Sequence, residues 1–437
     1  MNTIFRRLLG VLAILPALAA GVAAGRPVAE QPNVPMVQIR QAVVSIRTLV
    51  GNGTEPVSTG SGFFVGATGR LVTNHHVVGL ALRKPSHYRI QLKLPGGATA
   101  TAQIVGFSLA DDLAVLQLST PLPAGMTWIG LAKSLPTPKD GSAIYAFGDA
   151  SGMGVVSTRG HYSGLLDKAG FERYHFTGTL NPGMSGGPAV DQRGQLIGVN
   201  AARRTDAEQM SFLVPAARVH ALVARTAQSS ALDPAAVAAE VRRQLEGFHA
   251  QLAQVALSGD QTSARYGPYR VPEFGGARLK CGPINDASAD DRDEPRPTEV
   301  QGATCRMVNS LDWGDDIIIG HVEYSHRHFR AMSLNGWRFN TAMDNLHRQR
   351  LGESASNVMA AAQCVDKFTR SGRDGRLPVR LTWCTQAYRE FEGVYDVWIS
   401  VLTRDRPNEA LLSKLQIYGV SWAQAQAYTR RLLEGIE

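Results

Sequence analysis

The sequence predicts a mainly β protein in which two sets of six short strands precede a helix and a separate α+β region. β-branched and aromatic runs separated by Gly, Pro and Asp turns recur from residue 43 to residue 213, a spacing typical of barrels or sandwiches. After residue 233 apolar residues recur at intervals of three and four, which indicates a helix. All four cysteines lie beyond residue 280, which sets the last third of the chain apart.

The N-terminal segment, residues 1–24, has the pattern of a secretory signal peptide. Arg6 and Arg7 form a basic start, Leu8–Ala20 is an apolar core, and a small-residue cleavage site ends at Ala24. A retained membrane anchor is the alternative, but the apolar run is short and contains a proline. We therefore expect a periplasmic or secreted protein with no stable membrane span after cleavage.

Composition describes an ordinary globular protein, with 44% hydrophobic and 19% charged residues among 437. The formal net charge is +8, which on its own would suit nucleic acid, anionic surfaces or acidic substrates. The basic residues are scattered, however, and no nucleic-acid motif is present. We expect a solvated basic surface and no nucleic-acid partner.

The β-rich region is predicted over 41–225, after a flexible lead over 25–40. Its first six strands are predicted at Val43–Val50, Gly62–Val65, Leu71–Thr73, Tyr88–Lys93, Ala102–Phe107 and Ala114–Leu118. The second six are predicted at Ala143–Phe147, Val155–His161, Arg173–Thr177, Pro188–Val190, Gln195–Val199 and Ser211–Leu213.

A helical linker is predicted over 226–262. Asp233 is a suitable N-cap, and Pro234 suits the first helical position. An apolar stripe of about six turns follows, formed by Val237, Val241, Leu245, Phe248, Leu252 and Val255. We expect this helix to pack against its own chain rather than in a coiled coil, because its heptads are few.

Residues 263–437 form the predicted α+β region, which resembles no family that we recognise. Ile317–Ile319 and Val394–Leu402 have strand-like composition, and Ser421–Leu433 has a helical pattern. An acidic, proline-broken stretch over 290–297 lacks the ligand spacing of a calcium loop.

The four cysteines favour two disulfides in an exported chain, with three connectivities open. We predict that sequence neighbours pair, Cys281 with Cys305 and Cys364 with Cys384. A zinc site is the minority alternative, because the chain has no CxxC knuckle.

One further cluster contains the residue types that bind metal ions. It comprises His321, Glu323, His326 and His328. Polar residues on the wet face of a strand are the commoner explanation, so we predict no metal here. No flavin, nucleotide or pyridoxal phosphate motif is present, and we expect no cofactor.

Three short segments carry histidine, aspartate and serine in that order along the chain. They are Thr-Asn-His-His-Val-Val at 73–78, Asp-Asp-Leu-Ala-Val-Leu at 111–116 and Asn-Pro-Gly-Met-Ser-Gly-Gly-Pro at 181–188. A serine alcohol needs an adjacent base and nearby amide donors to attack a carbonyl. The glycines around the serine allow a tight turn that can aim amides at one point.

These segments resemble the signatures of the HtrA (Deg) branch of trypsin-like serine proteases, as do the segments at 194–200 and 211–215. The resemblance covers about residues 40–220 and implies two six-stranded antiparallel barrels of the chymotrypsin type. It also implies a serine endopeptidase that cleaves protein or peptide substrates, including unfolded ones, and that can form homo-oligomers. HtrA proteases usually carry PDZ domains next, and none is recognisable here.

The resemblance also assigns roles. Ser185 is the expected nucleophile, His76 its base, and Asp112 the carboxylate that orients the histidine. The neighbouring His75 is expected to face solvent, and Asp111 to be a turn residue.

The amides of Gly183 and Ser185, with Met184 between them, are the expected oxyanion hole. Relatives can hold this loop in a flipped resting form. By the same resemblance the walls of the substrate pocket are Thr179, Leu180, Asn181, Val199, Asn200 and Ala201. No acid lies at its base, which argues against cleavage after Lys or Arg and leaves a weak preference for small or medium aliphatic residues. The alternative to a protease is a chaperone-like or latent binding module that keeps the barrels.

Overall fold

Six antiparallel strands close into a first barrel at the N-terminal end of the described chain. The computed structural model describes residues 36–132, 137–168, 171–203, 210–256, 263–274, 278–284, 297–314, 317–348 and 358–437. The strands are β1 (Val43–Val50), β2 (Pro56–Phe64), β3 (Arg70–Thr73), β4 (Tyr88–Lys93), β5 (Thr99–Ser108) and β6 (Leu113–Leu118). They follow the order β1-β2-β3-β6-β5-β4, and β1 pairs with β4 to close the barrel. Two helices belong to this part, α1 (Met36–Ala42) and α2 (His75–Arg83).

A second six-stranded antiparallel barrel follows. Its strands are β7 (Ala143–Asp149), β8 (Val155–Lys168), β9 (Phe171–Phe176), β10 (Pro188–Val190), β11 (Leu196–Arg203) and β12 (Ser211–Pro215). They follow the order β10-β11-β12-β9-β8-β7, and β10 pairs with β7. The predicted pair of barrels is therefore confirmed. Several strands are longer in the structure than the apolar runs of the sequence predicted.

The two barrels pack against each other through a shared apolar cluster. Phe63 and Val115 of the first barrel belong to the same buried cluster as Phe147 and Val199 of the second. Burial of such side chains is the main stabilising contribution at this boundary.

Two helices follow the barrels, α3 (Ala216–Arg225) and α4 (Pro234–Ala256). As predicted, Asp233 caps α4, because its Oδ1 accepts a hydrogen bond of 2.7 Å from the amide of Ala236. The first five residues of the predicted apolar stripe are buried; the side chain of the sixth, Val255, lies outside the described residues.

The C-terminal region is built on a seven-stranded antiparallel sheet. In chain order its elements are β13 (Ser263–Tyr266), β14 (Tyr269–Pro272), β15 (Leu279–Ile284), β16 (Thr298–Met307), β17 (Leu311–Gly314), β18 (Ile317–Ile319), β19 (His321–Ala331), α5 (Gly336–Arg348), β20 (Gln363–Ser371), β21 (Leu377–Ala387), β22 (Val394–Thr403), β23 (Glu409–Ser421) and α6 (Trp422–Gly435). The sheet has the order β15-β16-β19-β23-β22-β21-β20, while β13–β14 and β17–β18 form two separate hairpins.

The two predicted disulfides are confirmed. Cys281–Cys305 joins β15 to β16, and Cys364–Cys384 joins β20 to β21. In both pairs the cysteines are direct cross-strand partners. Each disulfide therefore staples one edge strand of the sheet to its neighbour.

One hydrophobic cluster runs from the interior of the first barrel, through α4, into the C-terminal sheet. It contains Ile46 and Phe107 of the barrel, Leu245 of α4, and Leu415 of β23. The predicted domain boundaries remain predictions, and the core does not divide at them. No helix within the described ranges is long and apolar enough to cross a membrane. The predicted signal peptide, at residues 1–24, lies outside those ranges.

Candidate active site

The predicted histidine and aspartate meet at the start of α2. The imidazole Nδ1 of His76 lies 2.7 Å from Asp112 Oδ2, and the amide of His76 donates to Asp112 Oδ1 at 3.0 Å. The carbonyl of Asp112 accepts from the amide of His75 at 3.1 Å and from Asn74 Nδ2 at 2.8 Å. Because main chain and side chain of Asp112 both bond to this segment, the imidazole and the carboxylate are held in register.

Asp112 has a backbone conformation that is rare for a residue with a side chain. Its φ is +55°, in the left-handed region that favours glycine. The residue ends a turn in which its amide donates to Leu109 O at 3.2 Å. Asp111 belongs to this turn, as predicted, and its carboxylate accepts from Ser108 Oγ at 2.8 Å. Strain of this kind is commonly found where a side chain must be aimed.

Two opposing effects set the charge of the Asp112 carboxylate. Burial on its own raises the pKa of Asp112, but the charge and hydrogen bonds of His76 outweigh it and hold the pKa below its usual value. Asp112 is therefore ionised at neutral pH, as a group that stabilises an imidazolium must be.

The predicted serine loop packs directly against the histidine segment. Gly183 and Gly186 have φ of +88° and +86°, so the loop makes turns that residues with side chains rarely adopt. A Cβ on Gly186 would lie 2.3 Å from Thr73 Oγ1 and 2.9 Å from the amide nitrogen of Asn74. The chain therefore needs glycine there for Ser185 to come close to the start of α2.

The loop leaves two amides unused, and they are the two that were predicted to bind an oxyanion. Met184, Gly186 and Gly187 donate to the carbonyls of Asn181, Asn200 and Met184, respectively. Within the described part of the chain, the amides of Gly183 and Ser185 donate to no backbone carbonyl. These two amides are therefore available as the donors that an oxyanion hole requires.

Ser61, which the sequence analysis did not single out, fixes the opposite side of the loop. Its buried hydroxyl donates to Gly183 O at 2.7 Å and accepts from the amide of Asp149 at 2.8 Å. Its amide donates to Ser185 O at 2.7 Å. Its place in Gly60-Ser61-Gly62 is the one signal that could have found it, because paired glycines indicate close backbone approach.

The hydroxyl of Ser185 donates to the carbonyl of Ala201 at 3.2 Å. This carbonyl belongs to a bulge, because Asn200 pairs with Leu213 whereas Ala202 pairs with Phe212. The bulge leaves Ala201 without a strand partner and directs its carbonyl to the serine.

The predicted pocket residues are not equally placed to touch a ligand. Thr179 and Asn181 are exposed, and Ala201 adjoins the serine hydroxyl. Leu180 and Val199 are buried in apolar clusters.

Asn200 is fully buried, and its Nδ2 donates to Phe147 O at 2.8 Å and Met184 O at 3.1 Å. Its side chain therefore braces the serine loop.

The expectation that His75 faces solvent is wrong. Its side chain is buried, and its ring packs against those of Phe107 and Trp313, with ring centroids 5.8 Å and 6.1 Å away, respectively. Successive side chains of a helix point about 100° apart, so the exposed His76 and the buried His75 take different directions. Burial lowers the pKa of His75 to about 4.

The residues weighed as a metal site do not converge. His326 is buried, with its ring nitrogens 2.8 Å from Ser413 Oγ and 3.0 Å from Pro272 O, while His328 lies 3.6 Å from Glu409. The described residues contain no group of three or more His, Cys, Asp or Glu side chains placed to hold a metal ion.

Comparison with known proteins fits the geometry of the barrels. Residues 60–199 match the profile of the trypsin-like peptidase domain. Over this segment the chain resembles trypsin-like peptidase domains. Its curated relatives are HtrA-family serine proteases, at about 30% identity.

Human serine protease HTRA4 is 32% identical over 187 residues, which are 41% of this chain and 37% of that protein. Bovine mitochondrial serine protease HTRA2 is 29% identical over 178 residues, 39% of this chain and 36% of that protein. Among solved structures, the serine endoprotease from Yersinia pestis matches with 23% identity and a TM-score of 0.37, covering 44% of this chain and 66% of that one. The chain thus spans little more than a third of the length of these curated relatives.

Proposed function

We propose that the protein is an exported serine endopeptidase that uses His76, Asp112 and Ser185 to cleave peptide bonds. The observation that carries the proposal is the double hydrogen bond from His76, through its amide and Nδ1, to the Asp112 carboxylate. In that arrangement Nδ1 bonds the carboxylate, and Nε2 is the ring nitrogen that would accept the serine proton.

In the proposed reaction the Ser185 hydroxyl leaves the Ala201 carbonyl and gives its proton to His76 as Oγ attacks the substrate carbonyl. The developing oxyanion is bound by the free amides of Gly183 and Ser185, and Asp112 stabilises the imidazolium. His76 then donates the proton to the leaving amine, and water hydrolyses the acyl-enzyme.

The proposed substrates are exposed or unfolded protein segments, with the side chain before the cleaved bond held beside Thr179, Asn181 and Ala201. The buried Leu180, Val199 and Asn200 shape this pocket from behind. Export to the periplasm or beyond is supported by the two disulfides, which persist in oxidising compartments. Homo-oligomers are also part of the proposal, on the ground of the HtrA resemblance alone.

A fluorophosphonate probe tests the proposal on the purified mature protein, with Ser185→Ala as the matched control. We expect labelling of the wild type and none of the variant, because the probe reacts only with an activated serine beside a formed oxyanion hole. If the folded wild type stays unlabelled with and without added unfolded protein, the proposal fails and the binding-module alternative takes its place.

A further inference from the structure

A hairpin of the C-terminal region, β17–β18, reaches α2 at the back of the candidate active site. Strands β17 and β18 carry Leu311, Trp313 and Ile319 on their buried side. The hairpin lies far outside the segment that matches the peptidase domain, residues 60–199. Any role that it has in catalysis would come from outside that matched segment.

Trp313 is the residue that makes the contact. Its indole stacks on the ring of His75 at an interplanar angle of 27°, with the ring of Phe107 6.2 Å away and that of Phe391 5.2 Å away, centroid to centroid. Phe107 belongs to the strand that leads into the Asp112 turn, and Phe391 to the C-terminal region. Trp313 thus fills the space between the first barrel and the C-terminal sheet.

The position of His75 gives this contact a consequence for its neighbour. His75 and His76 share the first turn of α2, and both amides bond to Asp112. The packing of the His75 ring restricts rotation of the first turn of α2 about the helix axis. The orientation of that turn sets the direction of the His76 imidazole.

The hairpin makes one further contact with this part of the barrel, and its Asp312 carries a charge that interacts with that of Asp112. Arg83, in the last turn of α2, passes over Gly314 so closely that a Cβ there would lie 2.1 Å from its Nη1. The pKa of Asp312 is raised, by partial burial and also by the negative charge of Asp112, against a hydrogen bond from Ser310. The hairpin therefore lies within electrostatic range of the carboxylate.

We infer that Trp313 is a positioning residue for the reaction, holding α2 through His75 so that His76 stays aligned between Asp112 and Ser185. The inference rests on the proposed serine endopeptidase function. The C-terminal region is in this view a built-in part of the catalytic unit.

The test compares kcat and KM of Trp313→Ala, Trp313→Phe and wild type on one peptide substrate, below the melting temperature of each. We expect Trp313→Ala to lower kcat roughly tenfold to a hundredfold, the loss that a misplaced catalytic group produces. KM should stay within about twofold, because the pocket is not touched, and Trp313→Phe should recover most of kcat by restoring an aromatic ring against His75.

The matched control is Phe339→Ala, in the buried cluster of the C-terminal region that contains no barrel residue. It should lower the melting temperature while kcat stays within about twofold of wild type. A folded Trp313→Ala with kcat within twofold of wild type would overturn the inference, as would an equal loss of kcat in Phe339→Ala.

Two readouts keep the inference apart from the proposed function. If the wild-type protein neither reacts with the fluorophosphonate probe nor cleaves the peptide, the proposed function is wrong. The downfield proton NMR signal of the His76–Asp112 hydrogen bond, assigned with His76→Ala, still reports alignment without turnover. We expect that signal to broaden or vanish in Trp313→Ala and to persist in Trp313→Phe, and an unchanged signal in Trp313→Ala contradicts the inference.

Discussion

At the scale of single residues, the serine loop is held from behind by Ser61 on β2. Gly60 and Gly62, on either side of Ser61, allow β2 to pack closely against its neighbours. A Cβ on Gly60 would lie 2.5 Å from Val77 Cγ2, and one on Gly62 would lie 2.7 Å from Ile46 Cδ1. Because Ser61 bonds to the carbonyls of both Gly183 and Ser185, it fixes the peptide group that follows each of the two proposed oxyanion-hole residues.

We predict that Ser61→Ala lowers kcat roughly tenfold to a hundredfold, because the released Gly183–Met184 peptide group lies between the two oxyanion-hole amides and lets them shift. Unfolding free energy should also fall by about 1–3 kcal/mol, because Gly183 O and the amide of Asp149 lose their partner in a buried place. Steady-state kinetics and urea unfolding measure the two effects.

Ser58→Ala is the matched control on the same strand. Ser58 Oγ donates to Val77 O at 3.1 Å, and Thr48 Oγ1 donates to the same carbonyl at 3.0 Å. Removing the Ser58 hydroxyl therefore leaves no group unpaired, and kcat should not change. If Ser61→Ala lost stability but kept its kcat, the hydroxyl would have no role in positioning the loop.

At the scale of elements, helix α4 connects the turn that carries Asp112 to the C-terminal sheet. On one side, Gln244 accepts from the amide of Leu109 at 2.8 Å and donates to Phe107 O at 2.9 Å. On the other side, His249 Nε2 lies 3.0 Å from Tyr418 O. The helix is thus a brace between the first barrel and the sheet, not a free linker.

We predict that Gln244→Ala speeds amide hydrogen exchange in peptides covering residues 107–114. The amide of Leu109 loses its acceptor, whereas Phe107 O keeps a hydrogen bond from Arg225 at 3.0 Å. The expected cost is about 1–3 kcal/mol for the unpaired amide, and exchange mass spectrometry locates it.

Gln251→Ala is the control for this variant, because Gln251 is an exposed residue of the same helix bonded only to Arg278 within the described chain. Its exchange over 107–114 should equal that of wild type. Unchanged exchange in Gln244→Ala would show that the turn holds Asp112 without the helix.

At the scale of the whole molecule, buried histidines make the fold sensitive to acid. Burial lowers the pKa of His75, His249, His326 and His347 to about 4, from an ordinary value of 6.5. The four lie in the barrel, in α4 and in the C-terminal sheet and its helix. Between about pH 6.5 and 4 these histidines are therefore protonated in the unfolded chain but neutral in the folded chain.

We predict that unfolding free energy falls as pH drops from 6.5 towards 4, by up to about 1.4 kcal/mol per pH unit for each of these histidines. The lowered pKa of Asp112 acts in a lower window, since its contribution is lost only as pH falls through its folded pKa. Urea unfolding at a series of pH values gives the slope.

A variant checks the source of that slope. His326→Gln removes one such histidine, and the slope should decrease by up to about 1.4 kcal/mol per pH unit. A stability that is flat between pH 6.5 and 4.5 would contradict the prediction outright.

Much of the fold could be predicted because its determinants are local. Alternating apolar runs and turn residues located all twelve barrel strands, and Asp233-Pro234 located the start of α4. The cysteine pairs followed sequence order because each joins strands that are neighbours in the sheet. Strand lengths were underestimated, since β2 and β5 continue through polar residues that pair along the barrel.

The candidate site was predictable in part. His76, Asp112 and Ser185 lie in short motifs whose residue types carry their own chemistry, so the chain order alone proposed the triad. Ser61 and Gln244 were missed because a serine or a glutamine acquires such a role only through the backbone groups placed opposite it.

What the sequence by itself determined is the pair of barrels and the three chemical segments, because strand periodicity, turns and motifs act over a few residues. The tertiary structure alone decided that the His75 side chain points inward and that it stacks on Trp313. His75 and Trp313 are 238 residues apart in the chain, and no local pattern links them. Their stacking depends on where the C-terminal sheet packs against the first barrel, which is set by a hydrophobic core that both regions share.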